Sequence, residues 1–273
     1  MNLNDIIADA VDKDELPSGQ GGFEREIPRA GPALLRLRSY LELGIVKAKQ
    51  AGHKDKRRVR LTFELHHPDH MITGTKADGT PFSFPGQISI YVDIAGPDSR
   101  FGRLFKAMNY DGDKTHMYQC VGMAFLGTIT HADSGDPKKP WLNLDFNKTW
   151  NIGKPQTPVL DALGTPTAEM NPIPVPEMDG EPQVFLYEKD GLSDEQYKFL
   201  WDGIFIETPV SDDPSKPTKS RNWIQEAVKQ SLDFDTSRLK GLLEGSDVLL
   251  EVDTPAQPIP STTDADALAA LGL

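Results

Sequence analysis

Apolar and polar residues alternate with a period of two over much of residues 33–154, which is typical of half-buried β-strands. In the first such segment, Leu35 and Leu37 alternate with polar and charged neighbours. Residues 45–49 continue this strand after a bend that Gly44 permits. Four further strands are predicted at 59–65, 87–94, 118–131 and 140–150. The pattern therefore predicts a small β domain.

One amphipathic helix is predicted between the third and fourth strands. Ser99 caps it, and apolar residues follow at helical spacing over 100–110. Before the third strand, a Pro/Gly-rich loop over 76–86 contains the hairpin signal Asp78-Gly79. Five strands with one helix in this position is the element order of an OB-fold barrel. An unrelated β-sandwich has much the same order, so the pattern leaves both open.

The rest of the chain adds an arm and helices to this domain. Seven prolines between residues 151 and 185 predict an extended arm, and apolar spacing predicts helices at 193–201, capped by Ser193, and at 220–232. The predicted class is mainly β with added helices (α+β), built on an OB-fold-like five-stranded barrel. The segments are a flexible acidic N-terminal segment (1–32, with a short helix over 2–11), the barrel (33–154), a Pro-rich arm (155–192), a helical appendage packed on the barrel (193–250) and a disordered C-terminal tail (251–273).

Positive charge is concentrated in the middle of the chain, although the whole protein has a formal net charge of −12. Residues 29–154 hold 19 Lys and Arg against 12 Asp and Glu, whereas residues 1–28 hold 2 against 7 and residues 155–273 hold 8 against 22. A globally acidic protein is normally steered away from polyanions. A basic β domain that also carries aromatic residues instead favours single-stranded nucleic acid as the partner.

The candidate phosphate-binding residues fall into three groups, because phosphate neutralisation needs Lys and Arg but no reading of bases. The first surrounds the turn between the first two strands, the second lies on the polar side of the helix, and the third flanks the last strand. The alternative for the first group is a solvated turn. The groups are Lys47, Lys49, Lys54, Lys56, Arg57, Arg58 and Arg60; then Arg100, Arg103 and Lys106; then Lys138, Lys139, Trp141, Lys148 and Trp150.

Aromatic rings next to these charges are candidates for base stacking, which contributes roughly 1–3 kcal/mol per base whatever the base is. Phe82 and Phe84 in a Pro/Gly-rich loop, and Trp141 after a Lys-Lys-Pro turn, are predicted to be exposed for this purpose. Most aromatic residues in a domain of this size lie in the core. We assign the core positions to Phe63, Phe101, Phe105 and Phe125.

Enzyme signatures are weak in this sequence. His66, Asp69 and His70 have the spacing of metal ligands on a helix, but Pro68 interrupts that helix and favours a polar loop. The stretch 110–114 lacks the pattern and final Glu of a calcium loop, and no phosphate-binding or nucleophile-elbow motif occurs. We therefore expect neither catalysis nor a metal or cofactor.

The compartment follows from three observations. No apolar run approaches the roughly 20 residues of a membrane span, and the N-terminus lacks the basic and apolar regions of a secretion signal. Cys120 is the single cysteine, which excludes an internal disulfide and a cysteine-based zinc site. The sequence thus predicts a cytoplasmic protein with no membrane partner.

Several stretches together resemble a family of bacteriophage single-stranded DNA-binding proteins. GPALLRLRSYLELGIVKAK followed by KRRVRLTFEL is similar to the family's opening strands, with Leu41-Glu42-Leu43-Gly44 at the turn. CVGMAFLGTITHADSGDPKKPWLNLDF is similar to its later hairpin, although Met123 stands where a lysine is usual. SRNWIQEAVKQSLDF is similar to its C-terminal helix.

This resemblance implies an OB-fold body that coats single-stranded DNA during phage replication or recombination in the infected host. It also implies acidic termini that recruit replication or recombination proteins, for which a solubilising tail is the alternative. The leading hypothesis is thus a non-enzymatic single-stranded DNA-binding protein with little sequence preference. The runner-up is a regulatory module that docks protein partners through the helices at 193–201 and 220–232. A metal-dependent enzyme at His66, Asp69 and His70 is the third hypothesis.

Overall fold

The computed structural model describes residues 28–48, 52, 54–75, 79–135, 141–147, 149–178, 180–204 and 222–247. These residues fall into two compact units, which we call the first unit (the described residues within 19–40 and 59–183) and the second unit (the described residues within 41–58 and 184–273). The class is mainly β with added helices, as predicted. The predictions for residues 2–11 and 251–273 concern parts of the chain outside the described residues.

Six strands form the main path of the larger sheet, in the spatial order β3-β4-β2-β1-β5-β6. A short β9 also pairs with β5, and β12 pairs with β1. Among the described residues the ladder of hydrogen bonds ends at β3 and at β6, so the sheet is not closed. The strands of the main path are β1 Gly31–Val46, β2 Lys56–Leu65, β3 Met71–Thr75, β4 Pro81–Asp93, β5 Ala124–Ala132 and β6 Trp141–Leu144.

The apolar side chains of the main strands form the core of the first unit. Burial alternates along β4 and β5, whereas β1 and β2 are buried on both faces over residues 35–37 and 61–65. Leu35 and Leu37 are fully buried, and β1 runs antiparallel to β5 with Leu35 opposite Phe125. The rings of Phe63 and Phe125 meet edge to face with centroids 6.2 Å apart. Their core assignment is confirmed, whereas Phe101 and Phe105 are half-buried.

The predicted helix is present as α1, Arg100–Met108. The Ser99 hydroxyl accepts a hydrogen bond from the Gly102 backbone N–H at 3.0 Å, which satisfies one of the donors that a helix start leaves unpaired. Leu104 and Met108 are fully buried. The helix contacts β4 as well as the short strands after β6.

Two of the predicted strands are shorter than the sequence pattern suggested. The segment 118–131 begins with a 3-10 helix, Met117–Cys120, so β5 starts only at Ala124. The segment 140–150 breaks at Asp145 into β6 and a separate hairpin. The short strands that follow β6 are β7 Phe146–Asn147, β8 Thr149–Trp150 and β9 Ile152–Gly153.

The Pro-rich arm contains regular structure that the sequence pattern did not predict. Strands β10, Gln156–Leu160, and β11, Pro166–Pro172, form an antiparallel two-stranded sheet of their own. Beyond it, Arg36 holds the following extended segment, because its guanidinium donates hydrogen bonds to the carbonyls of Val175 at 2.9 Å and Pro176 at 2.8 Å.

The second unit is built around aromatic residues and three helices. Both predicted helices are present, and Ser193 caps the first of them in a reciprocal capping box with Gln196. The Phe185 ring lies 5.8 Å from the ring of Tyr197 and 5.5 Å from that of Trp201. None of the helices in the described ranges is long and apolar enough to cross a membrane. The remaining elements are β12 Gln183–Phe185, α2 Asp194–Asp202, α3 Trp223–Lys229 and α4 Arg238–Asp247.

Candidate nucleic-acid interface

The second predicted group meets the third at one residue, Trp150, in the first unit. The Arg100 guanidinium of α1 lies 5.0 Å from the ring centroid of Phe146 and 4.7 Å from that of Trp150. The Arg103 guanidinium, one helical turn later, lies 5.5 Å from the Phe146 ring. We call these four residues the α1 cluster.

Local structure explains why these side chains converge. Residues three apart on a helix share one side, so both guanidinium groups leave α1 in the same direction. On the facing hairpin, Phe146 and Trp150 are directly paired across β7 and β8, with ring centroids 4.8 Å apart. The Trp150 indole N–H donates to the Arg100 carbonyl at 2.8 Å, which ties the hairpin to the start of the helix.

The α1 cluster combines positive charge with an aromatic surface. Partial burial lowers the pKa of Arg100 through desolvation, and the nearby Asp93 opposes that shift. Each cation over a ring contributes about 0.5–1 kcal/mol at an exposed site. Arg100, Arg103 and Lys106 are all exposed, and the first two lie beside the rings.

The structure changes which ring of this cluster is a candidate for contact with a base: Phe146 replaces the predicted Trp150. Trp150 is only 6% exposed, so its indole supports the cluster from inside and offers no face to a base. Phe146 is half-buried, and the guanidinium groups of both arginines lie over its ring. It is not among the residues predicted from the sequence. Phe146 and Trp150 are four residues apart in the predicted strand 140–150, so a period of two places them on the same face. That spacing is the signal that would have identified Phe146.

A second polar surface lies on β2 and β4 of the same unit. The Thr62 and Ser89 hydroxyls are 3.1 Å apart, so these two side chains share one face of the neighbouring strands. Alternation along each strand places Arg60 and Tyr91 on that same face. Both are half-buried. Tyr91 is not among the predicted site residues. Alternation along the predicted strand 87–94 would have placed it on the same face as Ser89.

The first basic group lies mainly in the second unit. Lys47, Lys54, Lys56 and Arg57 are exposed, and Arg58 is half-buried. The Asp55 carboxylate accepts a hydrogen bond from the Ala48 N–H at 2.7 Å, which joins the end of β1 to the start of β2. We call residues 47–48 and 54–58 the basic turn. Lys49 lies outside the described residues.

The predicted stacking residues occupy strands, which corrects their placement in loops. Phe82 and Phe84 belong to β4, opposite Gly74 and Ile72 of β3, because the hairpin extends beyond the core. Their rings stack with centroids 5.6 Å apart and are half-buried. Trp141 begins β6 and is 38% exposed. The third group's Lys138, Lys139 and Lys148 lie outside the described residues.

The histidine segment forms a 3-10 helix, Pro68–His70, with proline at its start. His66 is buried, with its Nε2 3.3 Å from a Glu64 carboxylate oxygen. The His70 ring is 3.2 Å from the Arg29 carbonyl, and burial lowers its pKa. The described ranges contain no group of three His, Cys, Asp or Glu residues that is arranged to hold a metal ion.

No protein-family model, no curated protein and no solved structure gives a significant match to this chain. The resemblance to bacteriophage single-stranded DNA-binding proteins and the OB-fold assignment therefore stay predictions. The functional argument rests on the geometry of the chain itself.

Proposed function

We propose that this protein binds single-stranded DNA with little sequence preference and acts without catalysis. The observation that carries the proposal is the α1 cluster, in which Arg100 and Arg103 lie over Phe146 on an exposed surface. Single-stranded nucleic acids are bound where cations follow the phosphate backbone and aromatic rings lie beside them. A cluster of this kind needs no base-edge donors or acceptors, so it tolerates any sequence.

The topology supports an OB-fold-like body for this function. Strands β4-β2-β1-β5-β6 have the spatial order 3-2-1-4-5 when they are counted along the chain without β3. This is the order of a five-stranded Greek-key barrel with its helix between the third and fourth strands, and α1 occupies that place. Residues of β4 and β6, the two strands that such a barrel brings together, approach within 8 Å between Cα atoms.

The mechanism is phosphate neutralisation combined with stacking of a few bases. Arg100, Arg103 and Lys106 meet phosphates in the first unit. The exposed lysines of the basic turn are separate candidates for phosphate contacts in the second unit. Trp141, together with the Phe82–Phe84 pair, supplies rings for stacking. The biological setting we propose is the coating of single-stranded DNA during phage replication or recombination, with the acidic termini recruiting phage proteins.

Titration of a fluorescently labelled single strand at two salt concentrations tests the proposal. Each phosphate contact contributes about 0.7 to the slope of log affinity against log salt for single strands. The double variant Arg100→Ala/Arg103→Ala removes two contacts, so we expect a slope smaller by about 1.4 and weaker binding at low salt. The matched control, Lys198→Ala/Lys240→Ala, removes the same charge from ion-paired lysines of α2 and α4.

Two results would refute the proposal. Binding that is micromolar or weaker and independent of salt excludes the electrostatic mechanism. An equal loss of DNA affinity in the cluster variant and in the control shows that only the net charge of the protein affects binding and that α1 is not a specific site.

The second candidate is a non-enzymatic protein-interaction module that docks through the C-terminal helices. The observation that favours it is the exposure of two large apolar side chains in the second unit, Phe199 at 39% and Leu232 at 54%. Pull-down from infected cells with and without nuclease separates the two functions. If a protein partner is still captured after nuclease treatment, and the titration shows no binding of DNA, the second candidate is supported.

A further inference from the structure

The two-stranded sheet of β10 and β11, which we call the ribbon, is stabilised by few contacts outside itself. Among the described helices and strands, β10 and β11 contact chiefly each other, and every residue from 160 to 172 is exposed. An isolated two-stranded hairpin is at best marginally stable in water, and its outer edges carry unpaired backbone groups. The ribbon thus has the properties of a segment that completes its burial against a partner.

The turn of the ribbon is nevertheless closed by side-chain hydrogen bonds. The Asp161 carboxylate accepts hydrogen bonds from the N–H groups of Leu163 and Thr165, each at 2.8 Å. Gly164 adopts a φ of 79°, a left-handed conformation that glycine takes without strain. This turn holds Leu163 at the tip with 91% of its surface exposed.

Apolar exposure is concentrated on the ribbon. Leu160 is 58% exposed and Met170 is 41% exposed. With Leu163 they make up three of the six large apolar side chains that are exposed in the described part of the chain. Single exposed leucines are ordinary, but three within eleven residues mark an interaction surface.

The charge of this region identifies the chemistry of its partner. Residues 155–188 contain six Asp and Glu and no Lys or Arg. Such a segment is repelled by nucleic acid and is complementary to a basic protein surface that also has an apolar centre.

The second unit carries a surface of this kind. Leu232 is 54% exposed, and its N–H donates to the Ile45 carbonyl at 2.9 Å, which places it at the end of β1. Lys47 follows two residues later, and the Ala48–Asp55 hydrogen bond returns the chain toward Lys54 at this same turn. An exposed leucine therefore lies beside the basic turn, and the Asp233 carboxylate next to it accepts a hydrogen bond from the Ile45 N–H at 2.8 Å.

We propose that the ribbon of one copy docks on Leu232 and the basic turn of a second copy. Leu163 and its apolar neighbours meet Leu232, while Asp161 and Glu169 lie against the lysines. The two surfaces differ, so the contact is head-to-tail and each bound copy leaves one ribbon and one acceptor surface open. Such heterologous contacts build open chains unless a rotation closes them into a ring. The contact is small, so its affinity is in the micromolar range.

Sedimentation velocity on the full-length protein without DNA tests this contact. The wild type is expected to form dimers and longer chains as its concentration rises to about 200 µM, and less so at high salt. Leu163→Asp changes a fully exposed tip residue, and Leu232→Asp and Lys47→Glu change the acceptor surface. Each is expected to weaken association at least tenfold, about 1.4 kcal/mol. The matched control Ala95→Asp adds the same charge on an exposed loop of the first unit and leaves association unchanged.

Mixing the variants tests the head-to-tail geometry. Leu163→Asp retains an intact acceptor and Leu232→Asp retains an intact ribbon, so an equimolar mixture is expected to form a one-to-one dimer and nothing longer. A wild type that stays monomeric overturns the proposal. Association that Leu163→Asp abolishes but that both acceptor variants leave intact also overturns it, because ribbons would then pair with each other.

Discussion

Arg36 is the residue whose removal most directly tests how the segment after β11 is held against β1. Its guanidinium donates to the carbonyls of Gly122 at 2.6 Å, Pro176 at 2.8 Å and Val175 at 2.9 Å, and the residue is only 9% exposed. The ion pair with Glu177 adds little, because that carboxylate is 93% exposed. The arginine therefore acts as a clamp on the segment after β11.

The expected cost of Arg36→Met follows from these bonds. Hydrogen bonds to a charged group contribute roughly 1.5–3 kcal/mol each. Methionine keeps much of the side-chain packing, and the exposed carbonyl of Pro176 rehydrates when the bond is lost. We therefore expect a loss of about 3 kcal/mol in the free energy of unfolding, rather than the full sum of three bonds.

Urea unfolding followed by far-UV circular dichroism measures this loss. With a denaturant slope of about 2.5 kcal/mol per molar urea, the midpoint is expected to fall by roughly 1 M. The matched control is Lys154→Met, which removes a cation from an exposed pair with Asp111 and is expected to change stability by less than about 0.5 kcal/mol. A midpoint for Arg36→Met that equals that of the control would refute the clamp.

Three further predictions concern single residues. Gly44→Ala is expected to lower the free energy of unfolding by roughly 2–4 kcal/mol, because φ is 75° there and the added Cβ lies 2.6 Å from Ser231; a cost under about 0.5 kcal/mol in urea unfolding contradicts this. Ser193→Ala, which breaks the capping box of α2, is expected to cost about 1 kcal/mol in the same assay, and no change contradicts it. Burial raises the pKa of the Cys120 thiol to about 11, so thiol labelling at pH 8 is expected to be slow until denaturant is added; rapid labelling of the folded protein contradicts the burial.

Local patterns in the sequence were enough to predict the elements whose causes are local. Ser99 and Ser193 identified two helix starts, because a cap and an apolar spacing involve only neighbouring residues. The alternation at Leu35 and Leu37 identified β1 as a strand, although the structure also buries Arg36 on its other face. The same pattern could not show that the long segment after residue 140 breaks into β6 and a separate hairpin.

The candidate site was predicted only in part because its residues are far apart in sequence. Arg100 and Arg103 were correctly expected on one side of a helix. Their rings, Phe146 and Trp150, lie more than forty residues later, and no periodicity links the two segments. Loop composition around Phe82 suggested exposure, but pairing with β3 places that residue in a half-buried strand.

The sequence by itself determined the class of the protein, the starts of α1 and α2, the apolar core residues of β1 and β2 and the separation of basic from acidic segments, whereas α4 was not predicted. These features depend on short-range spacing and on composition. The tertiary structure alone decided that the arm forms a ribbon, that Arg36 clamps the segment beyond it and that the α1 cluster brings cations over an aromatic ring. Each of those features requires contacts between residues that are distant along the chain, and such contacts are set by packing and backbone hydrogen bonding rather than by local pattern.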